Sequence, residues 1–593
     1  MSSKTYLTAP VATPDLPKGI PYIIGNEAAE RFSFYGMKGI LTIFMTKYLF
    51  LLSDVAGEPM ERAEAIARYH DFTSWVYLTP VLGAFLADTV LGKYRTILSL
   101  SIVYCVGHLA LAFMGGPGMS AESWMMTGLY LIALGSGGIK PCVSAHVGDQ
   151  FGKTNSHWLT KVFGWFYISI NVGAALSTLA TPLLLEWYGP HWAFGIPGVL
   201  MAIATVLFWM GRDVFVHIPP RGKAFIRETF SVEGILTILK LFIIFAFVAV
   251  FWALFDQTGS SWVLQAEDLD RNWLGIEWLP SQIQAVNPVM IVTLVPLFSY
   301  VIYPAIDKVF PLTALRKIAL GLFLMVPGFA IVAMLQSWID AGDTPNISWQ
   351  LFAYAVLTAS EVMVSITCLE FAYTQAPTSM KSVVMAVFLF SVSLGNYFTA
   401  GVNKFILVEK GDVASVSALT KEHFASAEGM VREYFDGNAE ALPRTDFGLS
   451  IAEKVTDSWG TPLQYRMINR NSYKLVSLGP DKTAMTPDDI VHTVTVSRPM
   501  ATADKKSEKP LNWRETRMIE LLGEEGRKQV ERERGGVPTI EFDSNLTVGG
   551  QVKLEGAAYF WFWTWMMLGT AVVFVFVAMW YTPKTYMQEE AAH

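Results

Sequence analysis

The chain has 593 residues, of which 52% are hydrophobic and only 16% charged, whereas soluble domains are about a quarter charged. This composition argues against a soluble fold, and a formal net charge of −7 offers no basic surface, so no nucleic-acid partner is expected. Cys105, Cys142 and Cys368 are the only cysteines; all lie in apolar stretches, widely spaced, which suits neither a disulfide framework nor a zinc site.

The N-terminal stretch MSSKTYLTAPVATPDLPKGIP is polar and proline-rich. It lacks the apolar core and cleavage site of a secretory signal, so the first membrane helix is expected to direct insertion. From there roughly twelve apolar segments are long enough to span a bilayer. Six run over Pro21–Leu51, Ala67–Asp88, Thr96–Met114, Trp124–Gly148, Lys161–Leu185 and Ala193–Met210. Six more run over Ile235–Trp262, Pro288–Ile306, Ile318–Leu335, Trp349–Tyr373, Val383–Leu407 and Ala557–Trp580. Alternate short loops carry the basic residues (Lys93, Arg95; Lys153, Lys161; Lys308, Arg316, Lys317), whereas intervening loops such as MGGPGMSAESW and QSWIDAGDTPNISW carry none, which places both termini in the cytoplasm.

The expected organisation is a six-helix bundle (1–211), a basic cytoplasmic linker (212–230), helices seven to eleven (231–407), an insert (408–555), and a last helix with a cytoplasmic tail (556–593). Six spans, a linker and six spans is a two-half layout, with a site expected near the midplane between the halves. The insert is polar, falls outside the cytoplasm, and reads as a small α+β domain. HTVTVSRP alternates like a strand, and NWRETRMIELLGEEGRKQVERER has helical spacing and charge pairing.

Charges inside the spans carry the functional argument, since each costs roughly 2.5–3.5 kcal/mol at a helix centre. The first span places Glu27, Glu30, Arg31 and Lys38 within little more than three turns, and its spacing lets Arg31 pair with Glu27. A carboxylate beside a cation in a low-dielectric cavity suits proton carriage; the plain alternative is an ion pair locking two helices. His70, with Asp71 beside it near the outer end of the second span, is either a proton relay or a hydrated helix end. Lys140 follows three glycines and precedes Pro141, where a bent helix would present an ammonium to a carboxylate. Tyr167 and Asn171 share a face as ligands or as interhelical glue. The second half places Asp256 between Trp252 and Trp262, Asn287 before a proline, and Glu361 and Glu370 in the tenth span. Cations on one half facing carboxylates on the other suit a zwitterion, and Tyr35, Tyr77, Tyr167, Trp252 and Trp262 could line apolar pockets. No nucleophile–base pair or metal-ligand spacing points to an enzyme.

Several blocks resemble the proton-dependent oligopeptide transporter family, closest to its animal-type members. These are ERFSFYGM, YLTPVLGAFLADTVLGKYRTI, GSGGIKPCVSAHVGDQF, FYISINVG, FWALFDQTGSSW and SEVMVSITCLEFAYTQAP. The resemblance implies an all-α membrane protein with the major facilitator fold, about twelve transmembrane helices in two six-helix bundles, and symport of di- and tripeptides with protons, without other cofactor. It assigns proton coupling to Glu27, Glu30 and Arg31, with Asp256 in the gating and proton network; His70 is added to that network from its own chemistry. It assigns the peptide carboxylate to Lys140, the amino end to Asn171 and Glu361, and the pocket walls to Tyr35, Tyr77, Asn287 and Trp252, with Lys38 and Tyr167 beside them. Lys38 stands where the family usually has arginine, and Phe388 where a tryptophan is common. The linker is too short for the extra helix pair of many bacterial members.

Within the insert, DSWGTPLQYRMINRNSYKLVSLGPDKTAMTPDDI resembles the C-terminal part of type II secretion pseudopilins. That resemblance implies a bacterium, an insert in the periplasm and a calcium loop at Asp481, Asp488 and Asp489. Lys482 in place of glycine makes a turn the favoured reading over a bound ion.

Overall fold

A computed structural model of the chain describes residues 6–53, 57–375, 381–438, 440–498, 510–534 and 539–583. The tail beyond residue 583 lies outside them. Among these residues ten helices are long and apolar enough to cross a membrane. Two more match them in length: α1 (Ile20–Lys47) and α4 (Ala121–Asp149). Both are less apolar, α1 because it carries Glu27, Glu30, Arg31 and Lys38, α4 because glycines and Lys140 dilute it.

The first half is completed by α2 (Arg62–Leu86), α3 (Lys93–Ala112), α5 (Leu159–Tyr188) and α6 (Pro190–Met210). A bridge of irregular chain and one short helix (Lys223–Thr229) leads to α7 (Val232–Phe255), α8 (Pro280–Asp307, its first turn tight), α9 (Ala314–Asp340), α10 (Ser348–Glu361) and α11 (Lys381–Ile406). Each half has its own apolar core, one built from α1 to α6, the other from α7 to α11 and the last helix. The halves meet chiefly where α11 packs on α2 and α8 on α5.

Glycine sets the closest helix contacts, as is usual where apolar lipid gives helices little other reason to associate. A Cβ on Gly83 of α2 would lie 2.0 Å from the Gly137 carbonyl of α4, and one on Gly395 of α11 would lie 2.1 Å from the Ala249 carbonyl of α7. The glycines before Lys140 serve the same end. Helix α4 runs unbroken through Pro141, with Gly137 against Thr79 and Gly138 against Leu100. The exposed backbone expected there is replaced by close packing.

Two helices change pitch near charged residues. Helix α7 stops at Phe255, short of the expected Trp262, tightens over Asp256–Gly259, and resumes at Ser261–Gln265. Immediately after Glu361, α10 widens over Val362–Ile366 before continuing as Thr367–Gln375. Wide turns of this kind concentrate at functional sites.

Between α11 and the last helix, a four-stranded antiparallel sheet pairs in the order β3 (Gln464–Asn469), β4 (Ser472–Ser477), β5 (Ile490–Ser497), β6 (Glu541–Val548). A hairpin in the second half supplies the only other strands among the described residues, β1 (Asn272–Trp273) and β2 (Ile276–Glu277). Two helices, α12 (Ala418–Gly437) and α13 (Thr445–Ala452), precede β3; Phe424, Val431 and Phe435 of α12 bury against Tyr473, Leu475 and Val494. The continuous helix suggested by NWRETRMIELLGEEGRKQVERER is two, α14 (Trp513–Leu522) and α15 (Glu524–Glu533). Gly523, at φ 59°, takes the left-handed turn that glycine favours. Helix α16 (Ala557–Trp580) then completes the second half.

Asp489 is fully buried beneath β5. It accepts bonds from Met485 N at 2.7 Å and Gln551 Nε2 at 2.8 Å, while Asp481 accepts from Thr483 N at 2.9 Å. These carboxylates organise the loop from within.

Candidate functional site

Between the halves lies a cavity of about 240 Å³, lined from the first half by Tyr35, Lys38, Tyr69, Tyr167, Asn171 and Thr178, and from the second by Asp256, Thr258, Gln284, Asn287, Tyr354 and Glu361. Seven residues singled out from sequence thus share one void: Tyr35, Lys38, Tyr167, Asn171, Asp256, Asn287 and Glu361. Glu361 accepts a 2.7 Å bond from Asn287 Nδ2, which also reaches Thr358 Oγ1 at 3.1 Å. Asn171 donates to the carbonyl of Tyr167 on its own helix at 2.9 Å.

One end of the cavity is shut by a buried relay that joins the halves. Lys38 Nζ donates to Asp256 Oδ1 at 2.8 Å, both side chains under 10% exposed. Asn396 Nδ2 donates to the other oxygen of Asp256 at 2.7 Å, its own Oδ1 lies 2.6 Å from His70 Nδ1, and His70 Nε2 lies 2.9 Å from Ser260 Oγ. His70 is fully buried, so it is neither a hydrated helix end nor open to a wet path. Unwinding of α7 at Asp256 also frees the Gly259 carbonyl, which accepts from Thr42 Oγ1 at 2.8 Å.

Nearer the linker, Arg31 Nε donates to Glu27 Oε1 at 2.6 Å and lies 3.3 Å from Glu30 Oε2. Both carboxylates are fully buried, and neither Glu30 oxygen meets a hydrogen-bond donor in good geometry among the described residues. Such orphaned acceptors are rare and costly. Lys140 has no carboxylate within ion-pair distance among the described residues. Its ammonium instead lies 3.8 Å from the Phe34 ring centre and 4.9 Å from that of Tyr77, a favourable but weaker partnership.

Four expected lining residues stand elsewhere, among them Trp262, fully buried against Phe329 and Tyr354. Lys140 and Tyr77 sit together beside Phe34 rather than on the cavity wall. Trp252 is buried among Phe251, Phe255 and Phe388, because α7 packs on α11 through that face before it unwinds. Phe388 fills the same cluster. Sequence reasoning missed Asn396, Ser260, Gln284 and Tyr69; Asn396 alone left a signal, as an amide within the apolar run SVSLGNYF.

The cross-half polar bonds found among the described spans run from mid-helix toward the insert: Ser74–Ser393 at 3.0 Å at the middle of α2 and α11, then Lys38–Asp256, Thr42–Gly259, Gln284–Gly39 at 2.8 Å, Gln282–Leu179 at 3.0 Å and the His70 bonds, and outermost Lys47, Arg62 and Lys404 with Glu267, Asp268 and Asp71. These bonds latch the insert end.

A fold of two six-helix bundles around a midplane cavity with buried charges defines a multi-pass carrier of the major facilitator class. The POT family profile matches residues 94–237 and 226–417, and the chain belongs to that family. It is 38% identical over 365 residues to Peptide transporter family 1 of Drosophila melanogaster, covering 54% of this chain and 48% of that protein. It is 35% identical over 371 residues to human Solute carrier family 15 member 2, covering 55% and 49%. The match thus spans about half the length of these curated relatives. Among solved structures, the POT family transporter PepTSo is similar at 36% identity and a TM-score of 0.60, over 71% of this chain and 94% of that one. An auto-inhibited POT family peptide transporter is similar at 33% identity and a TM-score of 0.59, over 73% and 96%.

Proposed function

We propose that the protein is a proton-coupled symporter that imports di- and tripeptides by alternating access. The observation that carries this is the shared cavity, in which Asn171 from one half faces Asn287 and Glu361 from the other, shut at one end by the Lys38–Asp256 pair. Relatives named as peptide transporters support the substrate class.

Peptide length and charge suit the site. The ammonium end meets Glu361 and Asn171 in the cavity; Lys140, which stands off the cavity wall beside Phe34 and Tyr77, takes the carboxylate end only as a bound peptide draws the halves together at the linker end. A carboxylate in the wall disfavours nitrate and other simple anions, which it would repel. Glu27 and Glu30 carry the proton: protonation weakens their hold on Arg31, and deprotonation restores it. The basic short loops support an orientation with both termini in the cytoplasm and the insert in the periplasm of a bacterial inner membrane; the insert and the linker Arg212–Phe230 lie at opposite ends of the bundle.

The test is dipeptide uptake by purified protein in liposomes with an imposed pH step. Glu30→Gln is expected to abolish gradient-driven uptake and to spare exchange of labelled for unlabelled peptide. Unchanged uptake by that variant would remove the proton assignment; no uptake by the wild type would remove the substrate assignment.

A further inference from the structure

The segment beginning at Asn512 does two things that its charge pairing alone does not announce. Asn512 caps α14 reciprocally with Glu515, at 2.8 and 2.9 Å, and this fixes Trp513 as the first helical residue. Gly523 then folds α15 back on α14 into a hairpin. Arg532 of α15 ties the hairpin to β6 through Glu541 at 2.7 Å and Asp543 at 3.0 Å.

The sheet of the insert stands on the second half. Met467 of β3 fills the space over Gly342 just past α9, where a Cβ would come within 2.4 Å of its side chain, and Asn469 of β3 donates to Asp268 at 3.0 Å. The hairpin lies on the first half. Trp513 stacks on Tyr48 at the end of α1 with centroids 6.1 Å apart, and its indole fills the space over Gly189, where a Cβ would come within 2.6 Å of the ring. Asn512 Nδ2 donates to Glu186 of α5 at 3.0 Å, and Arg517 Nε donates to the Leu51 carbonyl at 3.1 Å. Met518 and Val530 bury together with Leu51. One folded unit is thus rooted in the second half and docked on the first, at the end closed by the outer cross-half ion pairs of Lys47, Arg62 and Lys404.

We propose that the insert is a strap across the mouth of the carrier, and that its α14–α15 hairpin must leave the ends of α1 and α5 before the insert end can open. Its role is to slow opening from that side. The dock is one aromatic contact, two polar bonds and a small apolar cluster, few enough to release on each cycle. Between the strap and the bundle lies a further cavity of about 270 Å³, walled by both halves and by β3, so the strap roofs the entry path while docked. The proposal rests on the alternating-access reading, but its test needs no peptide.

In a chain carrying Cys105→Ala, Cys142→Ala and Cys368→Ala, Ile66→Cys places one thiol in the roofed cavity, where Ile66 is buried. Purified protein in detergent is reacted with a bulky maleimide. Adding Trp513→Ala is expected to speed labelling about tenfold, and Trp513→Phe, which keeps an aromatic face, to restore the slow rate. Where Trp513→Ala does not fold, Asn512→Ala, which removes a partly buried bond, is expected to speed labelling several-fold. Labelling at the parent rate in the folded Trp513→Ala or Asn512→Ala variant overturns the strap, whatever the same protein does in uptake; faster labelling with no peptide uptake would leave the strap standing and overturn the transport reading.

Discussion

Lys38 and Asp256 are 218 residues apart in sequence, 2.8 Å apart in space and almost out of solvent. Removing one member of such a pair strands a buried charge and costs about 3–5 kcal/mol, whereas removing both costs much less. Lys38→Ala or Asp256→Ala alone is therefore expected to lower liposome uptake by at least about tenfold, and the double variant to recover part of the loss; a double variant worse than either single one would show that the two act separately. Lysine here makes a single point contact where a guanidinium would grip two oxygens. The second oxygen of Asp256 is instead held by Asn396, which passes the contact on to His70. These residues separate what the sequence displays from what it conceals. Lys38, Asp256, Glu27, Glu30, Arg31 and Glu361 are conspicuous because a charge in an apolar run needs a reason. Asn396 shows only as an amide in an apolar run, and Ser260 and Gln284 are neutral and at home in any membrane helix, so nothing in their spacing betrays that the first two extend the relay and the third bonds across the halves to the Gly39 carbonyl.

Among elements, the apolar runs locate all twelve spans, since burying backbone in lipid leaves the helix as the only open choice for a single segment. Breaks within them are harder to read: no proline marks the end of α7 at Phe255, and the unwinding follows from what Asp256 must reach. Close packing is similarly hidden in glycine. Gly395 and Gly401 lie on the same helix, yet a Cβ on the first would strike the Ala249 carbonyl at 2.1 Å while one on the second meets nothing within 4 Å. Gly395→Ala should force α7 and α11 apart at a cost of about 1–3 kcal/mol and lower the thermal melting temperature. Gly401→Ala should leave melting unchanged or raise it, since alanine is the better helix former by up to about 1 kcal/mol. Equal effects from the two would refute the packing argument. In the insert, α12 is tied to β5 by Glu428, whose Oε2 lies 2.8 Å from His492 Nε2 and whose Oε1 accepts from Arg432 Nε at 2.9 Å. The hydrogen bond from His492, aided by Arg432, holds the Glu428 carboxyl below its ordinary value despite burial. A carboxyl lowered on folding adds stability above its ordinary value and loses it as pH falls through the folded one. Glu428→Gln should consequently flatten the acid-side loss of insert melting while lowering stability near neutrality. An unchanged acid profile would mean that the tie carries no linkage.

At the scale of the whole molecule, the latched end has two layers, and magnitudes decide which one holds. The outer ring consists of Lys47–Glu267 at 2.6 Å, Arg62 with Glu267 at 3.1 Å and Asp268 at 3.0 Å, and Lys404 with Asp71. Its cationic side chains are 42%, 53% and 60% exposed, and exposed pairs contribute about 0–1 kcal/mol each and are screened by salt. The inner layer is dry: one buried ion pair, with Thr42, Gln284, Ser74 and His70 each adding a hydrogen bond worth about 0.5–1.5 kcal/mol. Latching should then reside in the inner layer, the ring serving to guide the halves into register and, through Asp268, to seat the insert by way of Asn469. The combined Lys47→Ala, Arg62→Ala and Lys404→Ala variant is expected to keep uptake within about threefold of the parent, as four pairs with exposed cations allow, and uptake by the parent should change little between low and high salt. If that variant failed as badly as Asp256→Ala, or if salt alone unlatched the carrier, the closed end would be held by surface charge, and the buried relay would be a bystander to the motion it spans.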